Sequence, residues 1–477
     1  MLRSTSRAYW LAIPCLCVLY FWRLDGMGLV GPDEPRYAAI GREMARSGDW
    51  VTPRLWGEPW FEKPALLYWM TSLGFGAGLG DELAPRIPVA LWSIAFLVFF
   101  FWILRREFGD EAAGYATAIL ATSAGWMAFS RVAVTDLPMA AAFSAAMLLS
   151  LRWLETGDCE RLPIAAALLG IAVLAKGLVP LVLAVPLIWM GRKRVLDWFR
   201  LPVAGIFLAV TLPWYVLCYV RNGWPFLQKL FWEQHFQRFG SAAVGHPQPF
   251  WYYLPVLIAA LFPWIPALAL LFKTAIHHDR RCRFLLASIL FGLVFFSLAT
   301  NKLPGYILPL MPALAVLLGR ALAETSHAKW VLTATVVLLV FIPAIAGILP
   351  TALASGLSTA AWPRFQWLWL MPLLVAAAVW EFARERDRVV AFTLTVMAVL
   401  AGILYLQRQA VPLIDTLATA RPLWRQVEPV RDRVCVAELN RSLRYGLNYY
   451  SLTPIPDCGT HPTELQIRGP LLYPRTE

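Results

Sequence analysis

Charged residues are scarce in this 477-residue chain, and that scarcity excludes most soluble folds. Asp, Glu, Lys and Arg make up 15% of the sequence, whereas 59% of the residues are hydrophobic and the mean hydropathy is +0.58. A soluble protein of this length needs more charged side chains to cover its surface. The apolar residues also form long runs, such as LWSIAFLVFFFWIL, and such runs approach the roughly 20 residues that cross a bilayer as a helix. The composition predicts a polytopic, all-α membrane protein.

Cysteine and histidine are also few, and neither is spaced as metal ligands usually are. The seven cysteines are scattered, and His277 and His278 lie in a basic loop without suitably spaced partners. Only Cys435 and Cys458 share the polar C-terminal tail. The sequence does not decide whether they form a disulfide or stay as two free thiols. The formal net charge is +12, but basic residues of a membrane protein mostly set its topology. We therefore expect no nucleic-acid partner.

The apolar runs between charge clusters predict about thirteen transmembrane helices. The first run lacks a small-residue cleavage site, so it is interpreted as a retained helix and not as a signal peptide. The predicted helices lie near 8–24, 84–104, 112–130, 136–153, 163–175, 178–190, 201–220, 253–273, 284–299, 306–323, 330–349, 364–382 and 389–406.

Lys and Arg in the short loops orient this bundle. Counting the helices alternately places the N-terminus and the most basic loops on one side, which is predicted to be cytoplasmic. The opposite side receives loop 25–83, loop 221–252 and the tail 407–477. We therefore expect a transmembrane catalytic domain, 1–406, followed by a small α/β subdomain, 407–477. Its segments VCVAEL and LLYP predict strands, and RSLRYGLNYYS predicts a helical or mixed segment. About seventy residues are few for independent stability, so docking onto the membrane part is expected.

Three basic residues break this charge pattern. Arg131, Lys176 and Lys302 lie on very short connections that the helix count places on the outer side. A cation that persists at such a place usually faces an anion or a cavity. Snorkelling of each side chain to the outer headgroups is the alternative. Together with the acidic first loop, the three cations favour the lining of an anion site.

The first outer loop carries a dense group of charges beside a predicted membrane helix. Its stretch GPDEPRYAAIGREMARSGDW has the signals of a helix with Asp33 as its N-cap and an end at Ser47-Gly48. This helix is predicted to lie along the membrane surface as an interfacial helix. Asp33, Arg36 and Tyr37 follow the i, i+3, i+4 spacing and should share one face.

Two further acidic positions complete the candidate chemistry. Glu62 and Lys63 stand together later in the same loop, and carboxylates beside a lysine suit a site where a phosphate leaves and an acceptor attacks. Asp136, in the motif SRVAVTDLPMA, lies at the start of a predicted helix after Arg131. An ionisable residue at that depth is a functional candidate, and a helix N-cap is the alternative.

These residues carry a family resemblance. The pattern PDEPRYA…REM..SGDWV.P…WFEKP…YW resembles the first extracytoplasmic loop of the aminoarabinose-transferase and dolichyl-phosphate-mannose mannosyltransferase-like superfamily, which has the GT-C fold. RVAVTD, AKG and NKLPGYILP resemble later motifs of the same family in the same order. EKPALLYW departs from the two consecutive prolines that the family favours, and the C-terminal domain is shorter than in the aminoarabinose enzymes. Both departures leave the identity of the acceptor open.

The resemblance implies a glycosyltransferase that uses an undecaprenyl-phosphate sugar donor on the periplasmic face of a bacterial inner membrane. The sugar is 4-amino-4-deoxy-L-arabinose and the acceptor a phosphate of lipid A in the aminoarabinose transferases, and other members use other envelope acceptors. Inversion at the sugar, a cytoplasmic N-terminus, a periplasmic C-terminus and a monomeric protein are expected, with no required cofactor.

The resemblance also assigns residues, position by position. The aspartates that match the catalytic motif positions are Asp33 and Asp136. The cations that match positions around the donor phosphate are Arg36, Lys63, Arg131, Lys176 and Lys302. Residues expected to line the substrate cavity are Glu34, Tyr37 and Tyr306. Glu62 and His246 resemble a pair that can hold a divalent ion such as zinc or magnesium in this family. The resemblance does not imply that catalysis requires a metal.

Two other classes of function are the alternatives to a transferase. A transporter or flippase of a polyprenyl-linked sugar also needs many helices and buried cations, but it predicts inverted repeats and broken helices near the bilayer midplane. No repeat is evident, and the charges lie in outer loops. A non-catalytic assembly partner predicts no acidic pair beside cations at one surface. The sequence therefore favours the transferase, with the flippase as the alternative.

Overall fold

The structure is a computed structural model that describes residues 14–237, 247–272, 275–385 and 387–474. Within these residues, eight helices are long and apolar enough to cross a membrane, and the number rises to nine if the bent pair Phe250–Leu261 and Ile265–Phe272 is one span. The eight are Gly80–Phe108, Asp136–Thr156, Leu201–Asn222, Arg280–Leu298, Pro304–Glu324, Ala328–Ser355, Trp367–Arg384 and Arg388–Ala418. The chain is therefore a multi-pass membrane protein.

The predicted count of about thirteen spans is not confirmed, and four predicted helices account for the difference. Segment 112–130 breaks at Ser123, whose extended backbone separates Asp110–Thr122 from the short helix Ala124–Phe129. The predictions at 163–175 and 178–190 correspond to apolar helical segments that are shorter than 18 residues. The predicted helix 8–24 begins outside the described residues, and its described part is helical over 14–21.

One predicted span is sharply bent. The segment predicted as a helix at 253–273 turns by 113° between its two halves. Phe262 leaves the helical conformation directly before Pro263, as expected for a residue that precedes proline.

Shorter elements connect the spans. The α-helices are Asp33–Ser47, Leu66–Gly76, Leu162–Lys176, Val179–Leu183, Val185–Met190, Trp224–Leu227, Arg421–Val427 and Arg441–Tyr450. A π-helix covers Gln228–Gln237, and separate 3-10 turns cover Arg192–Phe199, Ala275–His278, Leu357–Thr359 and Glu428–Arg433. Strands β1 (Arg54–Leu55) and β2 (Glu58–Pro59) form a small antiparallel hairpin in the first loop.

The helix Asp33–Ser47, called the first-loop helix below, begins at Asp33 itself, one residue earlier than predicted. Pro32 is the N-cap residue, so the predicted capping role of Asp33 is wrong and its side chain is available for another partner. The helix ends where predicted, at Gly48, whose φ of 70° is the left-handed conformation that glycine adopts readily. Its apolar residues, including Ile40 and Met44, are buried against protein and do not form a membrane-facing surface.

A fully buried ion pair fixes the entry to this helix. Arg86 donates to both carboxylate oxygens of Glu34, at 2.7 and 2.9 Å, and neither residue is exposed. The Glu34 carboxylate also accepts from the backbone N–H groups of Val30 and Ala133. Four donors hold this carboxylate inside the protein. The prediction that Glu34 lines a substrate cavity is therefore wrong. Glu34 joins the first loop to the span Gly80–Phe108.

Glu34→Gln should therefore destabilise the protein. Removing one partner of a buried ion pair leaves the other charge uncompensated and typically costs about 3–5 kcal/mol. We expect a lower melting temperature and a smaller folded fraction in detergent, measured by fluorescence-detected size exclusion after heating. Glu58→Gln, at an exposed carboxylate of β2, is the matched control and should melt with the wild type. Equal melting of the two variants would contradict the structural role of Glu34.

The C-terminal subdomain follows the last span, which continues to Ala418, beyond the predicted boundary at 406. Its sheet has the order β3 (Val434–Glu438), β4 (Leu465–Arg468) and β5 (Leu471–Pro474), with β3 and β4 parallel and β4 and β5 antiparallel. The strands predicted at VCVAEL and LLYP are present, and β4 was not predicted. Cys435 and Cys458 form a disulfide, which settles the alternative that their spacing left open.

Candidate active site

A cavity of about 370 Å³, open to solvent, lies between the first loop and the span connections. One part of its lining is charged and comes from Glu62, Lys63 and Lys176. Another part is apolar and comes from Leu178, Val179, Val182, Phe295 and Phe296. The remaining lining residues are Pro64, Gln234, Ala299, Asn301 and Tyr306. A cavity with cations beside an apolar wall can hold a phosphate that carries a hydrocarbon chain.

The first-loop charges form an alternating row that leads to this cavity. Arg36 pairs with Asp33 through Nη2 and with Glu62 through Nη1, the latter at 2.8 Å. Lys63 Nζ lies 3.7 Å from the other Glu62 oxygen. The predicted shared face of Asp33 and Arg36 is thus present. The order Asp33, Arg36, Glu62, Lys63 places a positive charge between the two carboxylates and another at the cavity wall.

Arg36 has the most protected position in this row. Its side chain is 3% exposed, against 35% for Asp33, and it is not part of the cavity lining. Burial lowers the pKa of Arg36, but the neighbouring carboxylates of Glu62 and Asp33 outweigh this and raise the pKa above its usual value. The guanidinium therefore stays charged. Arg36 was predicted to bind the donor phosphate. In the structure it pairs with the carboxylates of Asp33 and Glu62 and lies outside the cavity lining.

A second charged group borders the same cavity. Lys176 Nζ lies 2.6 Å from Asp136 Oδ1 and 4.6 Å from the centre of the Tyr306 ring. Asp136 is the first residue of its helix and Lys176 the last of its own, so both charges match the helix dipoles. Thr135 is the N-cap residue, which rules out an N-cap role for Asp136. Glycine at position 305 leaves room for this carboxylate, because a Cβ there would lie 2.6 Å from Asp136 Oδ1 and would force a shift.

Two cations that were predicted to bind the donor phosphate, Arg131 and Lys302, contact backbone carbonyls and do not line the cavity. Arg131 donates to the backbone carbonyls of Leu19, Tyr20 and Trp22, and burial lowers its pKa to about 10. Lys302 Nζ donates to the carbonyls of Ala299 and Gln248, and burial lowers its pKa as well. Both side chains are buried, and neither lines the cavity. Backbone carbonyl dipoles satisfy these two cations.

The remaining predicted residues divide similarly. Tyr306 lines the cavity, whereas Tyr37 is buried with its ring against Tyr68. Glu62 lines the cavity, and His246 lies outside the described residues. In the described ranges no group of three or more His, Cys, Asp and Glu side chains could hold a metal ion. Glu62 is flanked by two cations, Arg36 and Lys63, which compete with a metal for its carboxylate.

Sequence reasoning missed the aromatic residues that enclose Arg36. Its guanidinium carbon lies 5.8 Å from the ring centre of Trp60 and 4.9 Å from that of Tyr445. The sequence around Trp60 gives no sign of this contact, and Tyr445 belongs to the distant C-terminal subdomain. No local sequence signal connects Tyr445 to the first loop.

Comparisons with known proteins agree with this architecture. Residues 62–217 match the family model of dolichyl-phosphate-mannose-protein mannosyltransferases. An undecaprenyl phosphate-alpha-4-amino-4-deoxy-L-arabinose arabinosyl transferase of Pseudomonas fluorescens is 34% identical over 324 residues, which are 64% of this chain and 55% of that protein. The enzyme of that name from Edwardsiella ictaluri is 34% identical over 329 residues, 63% of this chain and 57% of the relative. The chain spans about half the length of these curated relatives.

Solved structures show the same fold. ArnT from Cupriavidus metallidurans, in its complex with undecaprenyl phosphate, superposes with a TM-score of 0.75 at 27% identity, covering 94% of this chain and 85% of that one. An oligosaccharyltransferase from Archaeoglobus fulgidus shares the fold alone, with a TM-score of 0.53, 13% identity and coverage of 94% and 63%. The chain thus has the GT-C fold of membrane glycosyltransferases. Within that class, the relatives to which it is similar are aminoarabinose transferases, the enzymes that its first-loop motifs also resemble.

Proposed function

We propose that this chain is a glycosyltransferase that moves a sugar from an undecaprenyl-phosphate donor to an acceptor of the cell envelope. The observation that carries the proposal is the cavity in which Lys63 and Lys176 face the same space as an apolar wall. The curated relatives have undecaprenyl phosphate in their names, and ArnT binds undecaprenyl phosphate. Both support the same donor.

The lysines would neutralise the leaving group. An acceptor oxygen attacks the anomeric carbon of the sugar, and the bond between that carbon and the donor phosphate oxygen breaks. Its electron pair leaves with undecaprenyl phosphate, where Lys63 and Lys176 stabilise the charge. A phosphate leaving group needs this electrostatic help more than it needs a strong acid. The undecaprenyl chain would lie along Val179, Val182, Phe295 and Phe296.

The carboxylates would serve the acceptor side. Asp33 is the catalytic carboxylate in this proposal, because it is partly exposed while Arg36 holds it in place. Where the acceptor oxygen carries a proton, Asp33 takes it. Asp136 orients Lys176 toward the cavity. One displacement at the sugar carbon gives inversion of configuration.

The setting of the reaction is part of the proposal. We infer 4-amino-4-deoxy-L-arabinose as the sugar, because the curated relatives carry that sugar in their names. We propose a lipid A phosphate as the acceptor on the resemblance of the first-loop motifs alone. The cavity would open to the periplasmic side of a bacterial inner membrane, with the N-terminus in the cytoplasm and the C-terminus in the periplasm. The protein would act as a monomer and need no cofactor.

The test compares a deletion strain with the same strain complemented by the wild-type gene. Lipids and lipid A are extracted from each, and their masses are searched for a sugar-sized increment. An increment that depends on the gene supports the proposal and identifies both sugar and acceptor. Unchanged lipids, together with translocation of a polyprenyl-linked sugar by the purified protein in liposomes, would overturn it in favour of the flippase.

A further inference from the structure

The helix Arg441–Tyr450, called the docking helix here, brings the C-terminal subdomain against the first-loop helix. Tyr445, near its middle, lies with its ring centre 4.9 Å from the guanidinium carbon of Arg36. The same ring stacks on Trp56, with a centroid separation of 5.9 Å and an interplanar angle of 11°. Arg441 contributes a second guanidinium at 5.6 Å. A subdomain far along the chain thereby contacts a residue of the charged row.

Arg36 is enclosed by aromatic rings on several sides. Tyr37 and Trp60 each lie 5.8 Å from its guanidinium carbon, and Tyr445 is nearer than either. The N–H groups of the guanidinium donate to Asp33 and Glu62, and the aromatic rings surround the rest of the group. A guanidinium held over an aromatic face in a dry environment is both attracted and restricted in orientation. Any displacement of Arg36 would move both carboxylates with it.

Other contacts anchor the docking helix independently of Tyr445. The backbone carbonyl of Tyr449 accepts from Arg42, whose guanidinium carbon lies 4.1 Å from the Tyr449 ring centre. The Tyr449 hydroxyl donates to the carbonyl of Asp81 at 2.7 Å, and the Tyr450 hydroxyl donates to Glu82 at 3.0 Å. Because these contacts place the helix, Tyr445 approaches Arg36 from a fixed support.

We propose that Tyr445 is a positioning residue of the active site, through which the C-terminal subdomain holds Arg36 and thus orients Asp33 and Glu62. This inference rests on the proposed transferase function. It makes the subdomain a structural part of the catalytic centre, although its sequence lies outside the motifs that identify the family. The ring acts on the carboxylates and does not touch the donor.

The test uses three variants of the full-length protein. Tyr445→Leu keeps apolar bulk but removes the aromatic face, and Tyr445→Phe keeps that face. Tyr450→Phe is the control, because it removes a docking hydrogen bond from the same helix without touching Arg36. For each we would measure kcat, the KM for the donor, the melting temperature and the affinity for undecaprenyl phosphate.

We expect Tyr445→Leu to lower kcat by about tenfold, the effect of losing a desolvated cation–π contact, while donor affinity changes little. Tyr445→Phe should keep most of the wild-type kcat. Tyr450→Phe should lower the melting temperature and leave kcat unchanged, because the contacts of Tyr449 with Arg42 and Asp81 still anchor the docking helix. An equal loss of kcat in Tyr450→Phe, or a wild-type kcat in Tyr445→Leu, would overturn the positioning role. A wild-type protein that binds undecaprenyl phosphate but transfers no sugar would overturn the proposed function instead.

Discussion

Asp33→Asn should reduce sugar transfer by about a thousandfold while the protein stays folded. Loss of a positioned catalytic carboxylate typically costs 10²- to 10⁴-fold, because the amide can neither accept a proton nor supply negative charge. The fold should survive, since Arg36 keeps its ion pair with Glu62 and the Asp33 side chain is 35% exposed. The measurement is the initial rate of transfer by purified protein with donor and acceptor lipids, together with the melting temperature.

Asp81→Asn provides the matched control for this variant. Asp81 also pairs with an arginine of the first-loop helix, Arg42, at 3.3 Å, but its side chain is 53% exposed and Arg42 is not part of the charged row that leads to the cavity. Arg42 keeps its hydrogen bond to the backbone carbonyl of Tyr449 and its contact with the Tyr449 ring, so both rate and stability should stay near wild type. If Asp33→Asn retained more than about a tenth of the wild-type rate, Asp33 would lose its catalytic role.

The sequence predicted well those parts of the site that depend on local spacing. Asp33 and Arg36 are one helical turn apart, and Glu62 and Lys63 are adjacent, so helix geometry or chain connectivity brings each pair together. The same geometry explains why Glu34 was misplaced. Successive residues of an α-helix are rotated by about 100°, so Glu34 points away from the face of Asp33 and meets Arg86 inside the protein.

The sequence predicted less well what satisfies a buried cation. Lys176, Arg131 and Lys302 all broke the positive-inside pattern, and all three are held by acceptors within the protein. Lys176 pairs with a carboxylate at the cavity, whereas Arg131 and Lys302 donate to backbone carbonyls. Carbonyl positions depend on where a helix ends and how loops pack, and residue spacing does not reveal them. The contact between Tyr445 and Arg36 is a tertiary contact of the same kind.

The predicted number of spans is not confirmed, for a related reason. Hydropathy detects apolar segments but does not detect where the backbone leaves the helix, as it does at Ser123 and at Phe262. It also cannot distinguish a crossing helix from the two short apolar helical segments that flank Gly177. Those short segments carry Lys176, Val179 and Val182 to the cavity. The part of the bundle that was hardest to predict is therefore the part that builds the site.

Lys176→Met should lower transfer by about a hundredfold and also destabilise the protein. Losing one preorganised group that stabilises developing charge commonly costs 10²- to 10³-fold in rate. The stability effect has a different origin, because Asp136 would be left without its cation. The two side chains are only 11% and 16% exposed, and breaking such a pair typically costs about 3–5 kcal/mol. A loss of activity in this variant alone would therefore not distinguish catalysis from folding.

The double variant Asp136→Asn/Lys176→Met separates the two effects. Replacing both charges of a buried pair by neutral groups of similar size is often nearly neutral for stability, so its melting temperature should return close to wild type. Its transfer rate should remain low, because the cation that faces the leaving phosphate is still missing. Lys329→Met, at a lysine that lies over the Trp380 ring and outside the cavity lining, should leave the rate unchanged. Recovery of both stability and rate in the double variant would show that the pair only supports the fold, and the leaving phosphate would then depend on Lys63.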